Sequence, residues 1–214
     1  SEMITDEANT LTPFVDDSSI KGIYIYRSRK INLPPPVDDA QEDVVNCLAW
    51  NQNAGILAAG GTRGHMRLLQ TNMMNAEREI LMEKDVQAIT QIGVFTSNLS
   101  LEGHNGHEVQ CCAWNEPAQK LTTSDKSGAI IVWNYDKENW YEEMVNNRNQ
   151  SHVIGMAWSH DGVRICIAYA DGTLICGSND GSRVWSKDLG YELAGGCAWS
   201  PSNNMILVGL SDGE

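Results

Sequence analysis

The chain has 214 residues and is acidic, with 28 Asp and Glu against 15 Lys and Arg and a formal net charge of −13. Its length allows one domain or two small ones, and 42% hydrophobic residues are enough to bury a core, which excludes disorder throughout. The negative charge argues against broad binding to nucleic acid or anionic lipid, since both depend on Lys and Arg. No apolar run reaches the ~20 residues of a span and no basic segment precedes an apolar one at Ser1–Asp6, so we expect neither a transmembrane segment nor a signal peptide, and a cytosolic protein.

The N-terminal residues precede any repeat and fall into three parts. Residues 1–21 are acidic and weakly patterned, which predicts an extension without a core of its own. Residues 22–33 begin with the alternation Gly22-Ile23-Tyr24-Ile25-Tyr26, which is typical of a single strand. The prolines 34–36 and the acidic residues 37–43 predict a stiff, negatively charged connector.

The rest of the chain is built on an internal repeat that begins with a tryptophan. In each of four copies the Trp follows an Ala, and a glycine stands fourteen residues after it. A short apolar strand pattern lies between the Trp and the Gly, and another strand follows each of the first three glycines. The four pairs are Trp50 with Gly64, Trp114 with Gly128, Trp158 with Gly172 and Trp199 with Gly213.

The turns and the period indicate that each repeat is a propeller blade. Asp-Gly pairs, as at Asp171-Gly172 and Asp180-Gly181, tolerate the positive φ of tight hairpins. Trp-to-Trp spacings are 64, 44 and 41 residues, and periods of ~40–45 residues with four strands are typical of WD-type β-propellers. The long first interval predicts an insertion over 71–97, looping out between two blades. We therefore predict an all-β WD40-type β-propeller with three full repeats and part of a fourth, in which 22–33 is the closing strand.

One repeat carries a candidate polar network. Gly103-His104 lies ten residues before Trp114, and Trp133 ends the last recognisable strand. These residues match WD repeats, in which an imidazole, a Ser or Thr, a turn Asp and an indole N–H form a buried hydrogen-bond chain. The match is partial, because Ser127 stands at the usual Asp position and the third repeat has Gly177 in place of Trp. His104 is thus predicted to be structural rather than an acid or base.

No catalytic, cofactor or metal site is predicted. The six cysteines include no Cys-x-x-Cys, and their apolar neighbours favour reduced core thiols over zinc ligands or disulfides. No repeated position offers the convergent groups of a catalytic propeller, so we expect no enzyme activity. Glu142 and Glu143 are adjacent and point apart on a strand; a solvated loop is the preferred interpretation. The predicted structural residues are Trp50, Trp114, Trp158, Trp199, Gly64, Gly128, Gly172, Gly213, His104 and Trp133.

Several segments carry a resemblance to a known family. Trp114–Asp125 with Ile130–Trp133, Trp140–Asn149 and Gly177–Leu189 resemble the N-terminal propeller of the WD repeat-containing protein thirty-five family. A similar motif, Ile23–Ile31, stands near the start of the chain. The tubby-like proteins with N-terminal WD repeats share Trp114–Pro117, but they resemble Trp140–Asn149 less well and are the alternative.

The resemblance implies a seven-bladed propeller at the N-terminus of a large scaffold. The chain ends within a hairpin turn and would leave strand edges unpaired, so we expect it to be a portion of a longer chain. The implied role is a non-catalytic subunit of the intraflagellar transport A complex, in the cytoplasm, basal body and cilium or flagellum, for retrograde transport and entry of membrane cargo.

The implied partners are the other subunits of that complex, in a large hetero-oligomer, and ciliary membrane cargo, directly or through adaptors. The alternative family implies a ubiquitin-ligase or membrane-cargo adaptor, or another WD-repeat interaction scaffold. Because propellers bind through displayed loops, the candidate contact segments are 71–97, 134–150 and the acidic connector.

Overall fold

A computed structural model describes residues 44–71, 95–147 and 151–212. The backbone of these residues is strand, turn and irregular structure, and its one helical element is the 3-10 turn Thr62–Gly64. The predicted extension 1–21, the predicted closing strand 22–33 and Gly213 lie outside the described residues.

Fourteen strands form four antiparallel sheets within the described residues, and within each sheet every strand pairs with the next one along the chain. The first sheet contains β1 Val45–Asn51, β2 Ile56–Gly61, β3 Met66–Thr71 and β4 Phe95–Leu101. The second contains β5 Val109–Asn115, β6 Lys120–Asp125, β7 Ile130–Asp136 and β8 Asn139–Asn146. The third contains β9 Val153–Trp158, β10 Arg164–Tyr169, β11 Thr173–Ser178 and β12 Arg183–Asp188, and the fourth contains β13 Leu193–Trp199 and β14 Ile206–Leu210. The described residues thus form three four-stranded sheets and one two-stranded sheet.

The hairpins form where the sequence supplies turn chemistry. Gly128 and Gly172 have φ of 87° and 89°, a region in which a side chain would be strained. In the second of these turns the Asp171 carboxylate accepts a hydrogen bond from the Thr173 amide at 2.9 Å. The repeated glycine is therefore a requirement of the hairpin between the second and third strands of a sheet.

The structure corrects the position of the predicted insertion 71–97. Thr71 ends β3 and Phe95 begins β4, so both ends of that segment are strand residues. Because β3 and β4 pair with each other, the segment joins two strands of one sheet and does not connect two blades. The outer strand was missed because its sequence, with polar residues at Ser97, Asn98 and Ser100, lacks a clear apolar alternation.

The core lies between the sheets. The first strands of successive sheets lie side by side, β1 against β5, β5 against β9, and β9 against β13. Three apolar clusters fill the three junctions, and a four-stranded sheet buries its faces only in this way. The cluster between the first and second sheets contains Ala58, Met66, Leu68, Leu101, Val109, Trp114, Leu121, Ile131 and Trp133. The next contains Ile130, Val153, Ile165, Ile167 and Tyr169, and the third contains Cys166, Ala168, Leu174 and Leu193.

The close approach of β9 and β13 yields a test of this packing. A Cβ on Gly155 would lie 2.6 Å from the Cα of Gly196, whereas a Cβ on Gly196 would meet no heavy atom within 4 Å. Gly155→Ala must therefore push two main chains apart, and we expect it to lower the free energy of unfolding by about 1–3 kcal/mol. The matched control Gly196→Ala should change it by less than about 0.5 kcal/mol. Urea unfolding of the full chain measures both, and equal effects would show that the junction is looser than described.

Candidate functional site

The repeated tryptophans link each sheet to the one before it. The indole N–H of Trp114 on β5 donates to the Ala49 carbonyl of β1 at 3.1 Å, and that of Trp199 on β13 donates to the Ala157 carbonyl of β9 at 2.9 Å. Each indole therefore satisfies its one donor on the main chain of the neighbouring first strand.

Trp158 and Trp50 differ from this pattern. The Trp158 indole donates to the Thr122 hydroxyl oxygen of β6 at 3.0 Å instead of to a main-chain carbonyl. Trp50 holds the same place in β1 and is 37% exposed, and the described residues include no earlier sheet to accept its hydrogen. All four repeated tryptophans thus lie on first strands, and three of them contact a preceding sheet.

A chain of four buried side chains secures the second sheet to the loop that enters it. The Trp133 indole N–H donates to Thr123 Oγ1 at 2.8 Å, Thr123 Oγ1 lies 2.8 Å from His104 Nε2, and His104 Nδ1 lies 2.7 Å from Asp125 Oδ2. With its proton on Nδ1, the imidazole donates to the carboxylate and accepts from the threonine hydroxyl. Every polar side-chain atom of these four residues then has a hydrogen-bond partner, as burial requires.

Asp125 corrects the prediction that placed Ser127 at the acidic position. One carboxylate oxygen of Asp125 faces His104, and the other accepts from the Ser127 amide at 2.9 Å and the Ser127 hydroxyl at 2.6 Å. Ser127 therefore supports the turn, and Asp125, the last residue of β6, faces the imidazole. The prediction counted residues from the repeated Trp to the turn and therefore selected Ser127. The acid that contacts His104 lies two residues earlier, at the end of β6.

The pKa of Asp125 reflects these contacts. Burial raises the pKa of this carboxyl, but hydrogen bonds from Ser127 and His104 lower it by more, so the pKa lies below its ordinary value. The ionised form is the one that the turn and the imidazole stabilise.

The connectivity of Thr123, His104 and Asp125 is that of a hydroxyl–imidazole–carboxylate triad. Their exposures are 0%, 2% and 1%, and the Trp133 indole occupies the threonine oxygen. A nucleophile must reach the substrate, and this hydroxyl has no route to one. The geometry suits a structural role, in which these side chains hold the entry loop against the second sheet.

A polar link also runs along the turns between the first and second strands of the sheets. The Asn115 side chain accepts from the Ala118 amide at 3.1 Å within its own turn and donates to the Gly162 carbonyl of the third sheet at 2.9 Å. The His160 amide likewise donates to the Asn203 side chain of the fourth sheet at 2.8 Å. The sequence motif Trp114-Asn115 marks the first of these links, but only the fold shows the partner of either one.

Glu142 and Glu143 lie on β8, which corrects the preference for a solvated loop. Glu143 pairs with Lys120 at 2.6 Å, and Lys120 also donates to Asn179 of the third sheet. Glu142 instead approaches Gly103, on the side of the first sheet. The two carboxylates therefore diverge, and the segment 134–147 forms the outer hairpin of the second sheet.

An apolar groove lies between the outer strands of the first and second sheets, and sequence reasoning missed it. It has a volume of about 510 Å³, and its lining includes Leu68 and Leu99 on one side and Trp114, Tyr135 and Trp140 on the other. The Trp140 ring packs edge-on against Trp114, with centroids 5.8 Å apart and planes at 68°. The only available signal was the density of aromatic residues over 133–141.

The six cysteines are free thiols. Burial raises the pKa of Cys111 to about 12 and raises that of Cys176. Contacts with neighbouring thiols, Cys47 for Cys112 and Cys197 for Cys166, raise the pKa values of Cys112 and Cys166 further. Four of these thiols are therefore held in the protonated form, which is a poor metal ligand and a poor nucleophile.

The described residues contain no group of three or more His, Cys, Asp or Glu side chains placed to hold a metal ion. Across the same ranges, no helix has the length and apolarity needed to cross a membrane.

A family model for the N-terminal β-propeller of WDR35 and TULP4 matches residues 23–214. The chain belongs to this family. WD repeat-containing protein 35 from Rattus norvegicus and from Homo sapiens is 40% identical over 193 residues, 90% of this chain. The chain spans only 15% of the length of these relatives. Tubby-related protein 4 from Homo sapiens is 42% identical over 118 residues, which are 55% of this chain and 8% of that protein.

A solved structure supports the fold of this propeller. The crystal structure of a mitotic checkpoint complex contains a chain that matches with a TM-score of 0.59 at 20% identity, covering 81% of this chain and 45% of that one. At this identity the match shows the fold alone. The predicted all-β WD40-type propeller is thus confirmed by the strand pattern, the family and the solved structure.

The buried hydrogen-bond chain predicts that removing the Thr123 hydroxyl has a large effect on stability. Thr123→Val keeps the side-chain volume but leaves the Trp133 indole N–H and the His104 Nε2 without partners. We expect the free energy of unfolding to fall by about 2–4 kcal/mol. Ser124→Ala is the matched control, because the buried Ser124 hydroxyl has no hydrogen-bond partner in the described part of the chain, and its removal should be neutral or stabilising. Similar losses from both variants in urea unfolding would contradict this assignment.

The lowered pKa of Asp125 predicts a dependence of stability on acid pH. A carboxyl whose pKa is lower in the folded chain stabilises the fold above its unfolded pKa of about 3.9, and this contribution disappears as the pH falls through the folded pKa. The stability difference between the wild type and Asp125→Asn should therefore shrink below about pH 4. Hydrogen bonds from Ser159 and Ser178 also lower the pKa values of Asp161 and Asp180. Both residues are present in the wild type and the variant, so their contributions cancel in the stability difference. Urea unfolding across a pH series tests this, and a constant difference would refute it.

Proposed function

We propose that this propeller belongs to a non-catalytic scaffold subunit of the intraflagellar transport A complex. The observation that carries the proposal is the 40% identity to WD repeat-containing protein 35 over 90% of the chain. In this role the protein acts in the cytoplasm, at the basal body and in the cilium or flagellum. It supports retrograde transport and the ciliary entry of membrane cargo.

The architecture supports a role in binding. The inter-sheet hydrogen bonds from Trp114, Trp158 and Trp199 hold successive sheets in fixed register, so their outer strands and turns are displayed on a rigid support. The outer strand β12 is exposed along its whole length. The proposed partners are other subunits of the complex, and membrane cargo either directly or through adaptors.

Two features favour a scaffold over an enzyme. The triad-like group of His104, Thr123 and Asp125 is sealed from solvent. The adjacent carboxylates of Glu142 and Glu143 diverge, so they do not act on one substrate. Catalysis needs reactive groups that converge on an accessible point, and neither set provides one.

Affinity purification tests the proposal. The full-length protein, tagged and expressed at its natural level in ciliated cells, should recover the transport A subunits in stoichiometric amounts. An unrelated WD-repeat protein with the same tag is the control for non-specific capture. Recovery of the protein alone, or no better recovery of these subunits than with the control, would refute the proposal.

The match to Tubby-related protein 4 favours a second candidate, a tubby-like WD-repeat adaptor for a ubiquitin ligase or for membrane cargo. That match has 42% identity but covers 55% of the chain, against 90% for WD repeat-containing protein 35. The same purification separates the two candidates, because neither form of the adaptor would recover transport A subunits in stoichiometric amounts and the ligase adaptor would recover ubiquitin-ligase subunits instead.

A further inference from the structure

The groove between the first and second sheets has the size and composition of a ligand site. Its volume of about 510 Å³ lies within the roughly 300–1,000 Å³ that is usual for such sites. Leu99 and Tyr135 form opposite walls and are 44% and 52% exposed, so solvent reaches apolar surface on both sides. Apolar walls that stay open to water are favourable places for a partner side chain to be buried.

The aromatic wall is held in place before any partner arrives. Trp114 is fixed by its indole hydrogen bond to the Ala49 carbonyl, and Trp140 packs against it edge-on. Tyr135 also packs against Trp140, with ring centroids 5.4 Å apart and planes at 47°. Rings already immobilised by packing lose little entropy on binding, which favours a specific contact.

The charge in the groove is negative. Of the described residues that line it, Glu138 alone carries a charge, and Gln70, Gln119 and Tyr135 are uncharged residues with polar side-chain groups. Lys120, on the neighbouring strand, is paired with Glu143. A carboxylate beside the exposed Tyr135 ring attracts a cation through both its charge and the ring quadrupole.

The hairpin that presents Glu138 is unusual in its sequence. Lys137 and Glu138 form the tip between β7 and β8 with φ of 46° and 67°, where Asn or Gly is the ordinary choice. Charged residues at positive φ carry a conformational cost, and such outliers concentrate at functional positions. The tip therefore keeps a carboxylate at the mouth of the groove in spite of that cost.

We propose that this groove docks a short segment of a partner protein in which a large apolar side chain stands next to Lys or Arg. The apolar side chain packs on Trp114 and Trp140, and the basic side chain lies over Tyr135 and pairs with Glu138. A second copy of this chain is disfavoured as the occupant, because its net charge of −13 would bring like charge to the site. The docking surface does not depend on the proposed function.

Selection from a random dodecapeptide library displayed on phage, with the full chain as bait, tests the proposal. Enriched peptides should share an aromatic or large aliphatic residue next to Lys or Arg. Synthetic copies of the enriched peptides should bind at least about tenfold more weakly to Tyr135→Ser and to Glu138→Lys. The first change removes the aromatic ring beneath the basic side chain, and the second removes the carboxylate that pairs with it. A Glu138→Lys bait should instead select peptides with Asp or Glu in the basic position.

Two surface variants are matched controls. Tyr141→Ser makes the same change on an exposed tyrosine of β8 that does not line the groove, and Glu192→Lys reverses a charge at the edge of the fourth sheet. Both should bind the selected peptides as the wild type does. The proposal is overturned if no sequence is enriched, if enriched peptides lack a basic residue, or if they bind the groove variants and the controls equally.

Discussion

The indole hydrogen bonds from Trp114, Trp158 and Trp199 to the preceding sheets are the contacts on which the rest of this propeller depends. A four-stranded sheet has two faces and no core of its own, so its apolar side chains are buried only against another sheet. An indole spans much of the apolar junction and ends in a donor that is costly to bury unpaired. Trp114 and Trp199 therefore fix the distance between sheets and their register at the same time.

A buried chain of polar side chains lies at the junction of the first and second sheets. There His104 connects the incoming loop to Asp125 and Thr123, whereas the third sheet has Gly177 where the second has Trp133. The later junctions combine apolar clusters with single hydrogen bonds, such as those from Trp158 and Trp199, and β9 and β13 also bring their main chains close together. The same junction holds the apolar groove, and Trp114 serves there both as inter-sheet link and as groove wall.

Inner strands and hairpins were predictable, but outer strands were not. Gly128 and Gly172 mark their turns because positive φ is a local requirement of the backbone. The strand β4 and the position of Glu142 on β8 were missed because an outer strand meets solvent along much of its surface, and its sequence need not alternate. Asp125 was missed for another reason. Which acid contacts His104 depends on where its carboxylate lies in space, and not on the number of residues between that acid and the repeated Trp.

By itself the sequence determined the β class, the repeat and the family resemblance, because turn chemistry, strand pattern and period are properties of neighbouring residues. The tertiary structure alone decided which side chains meet between separate strands. Trp140 lies against Trp114, and Asn115 reaches Gly162, only because the sheets stack with one particular register. The spacing of such residues along the chain does not specify side-chain direction across a junction, so the groove, the buried hydrogen-bond chain and the polar link along the turns all required the fold.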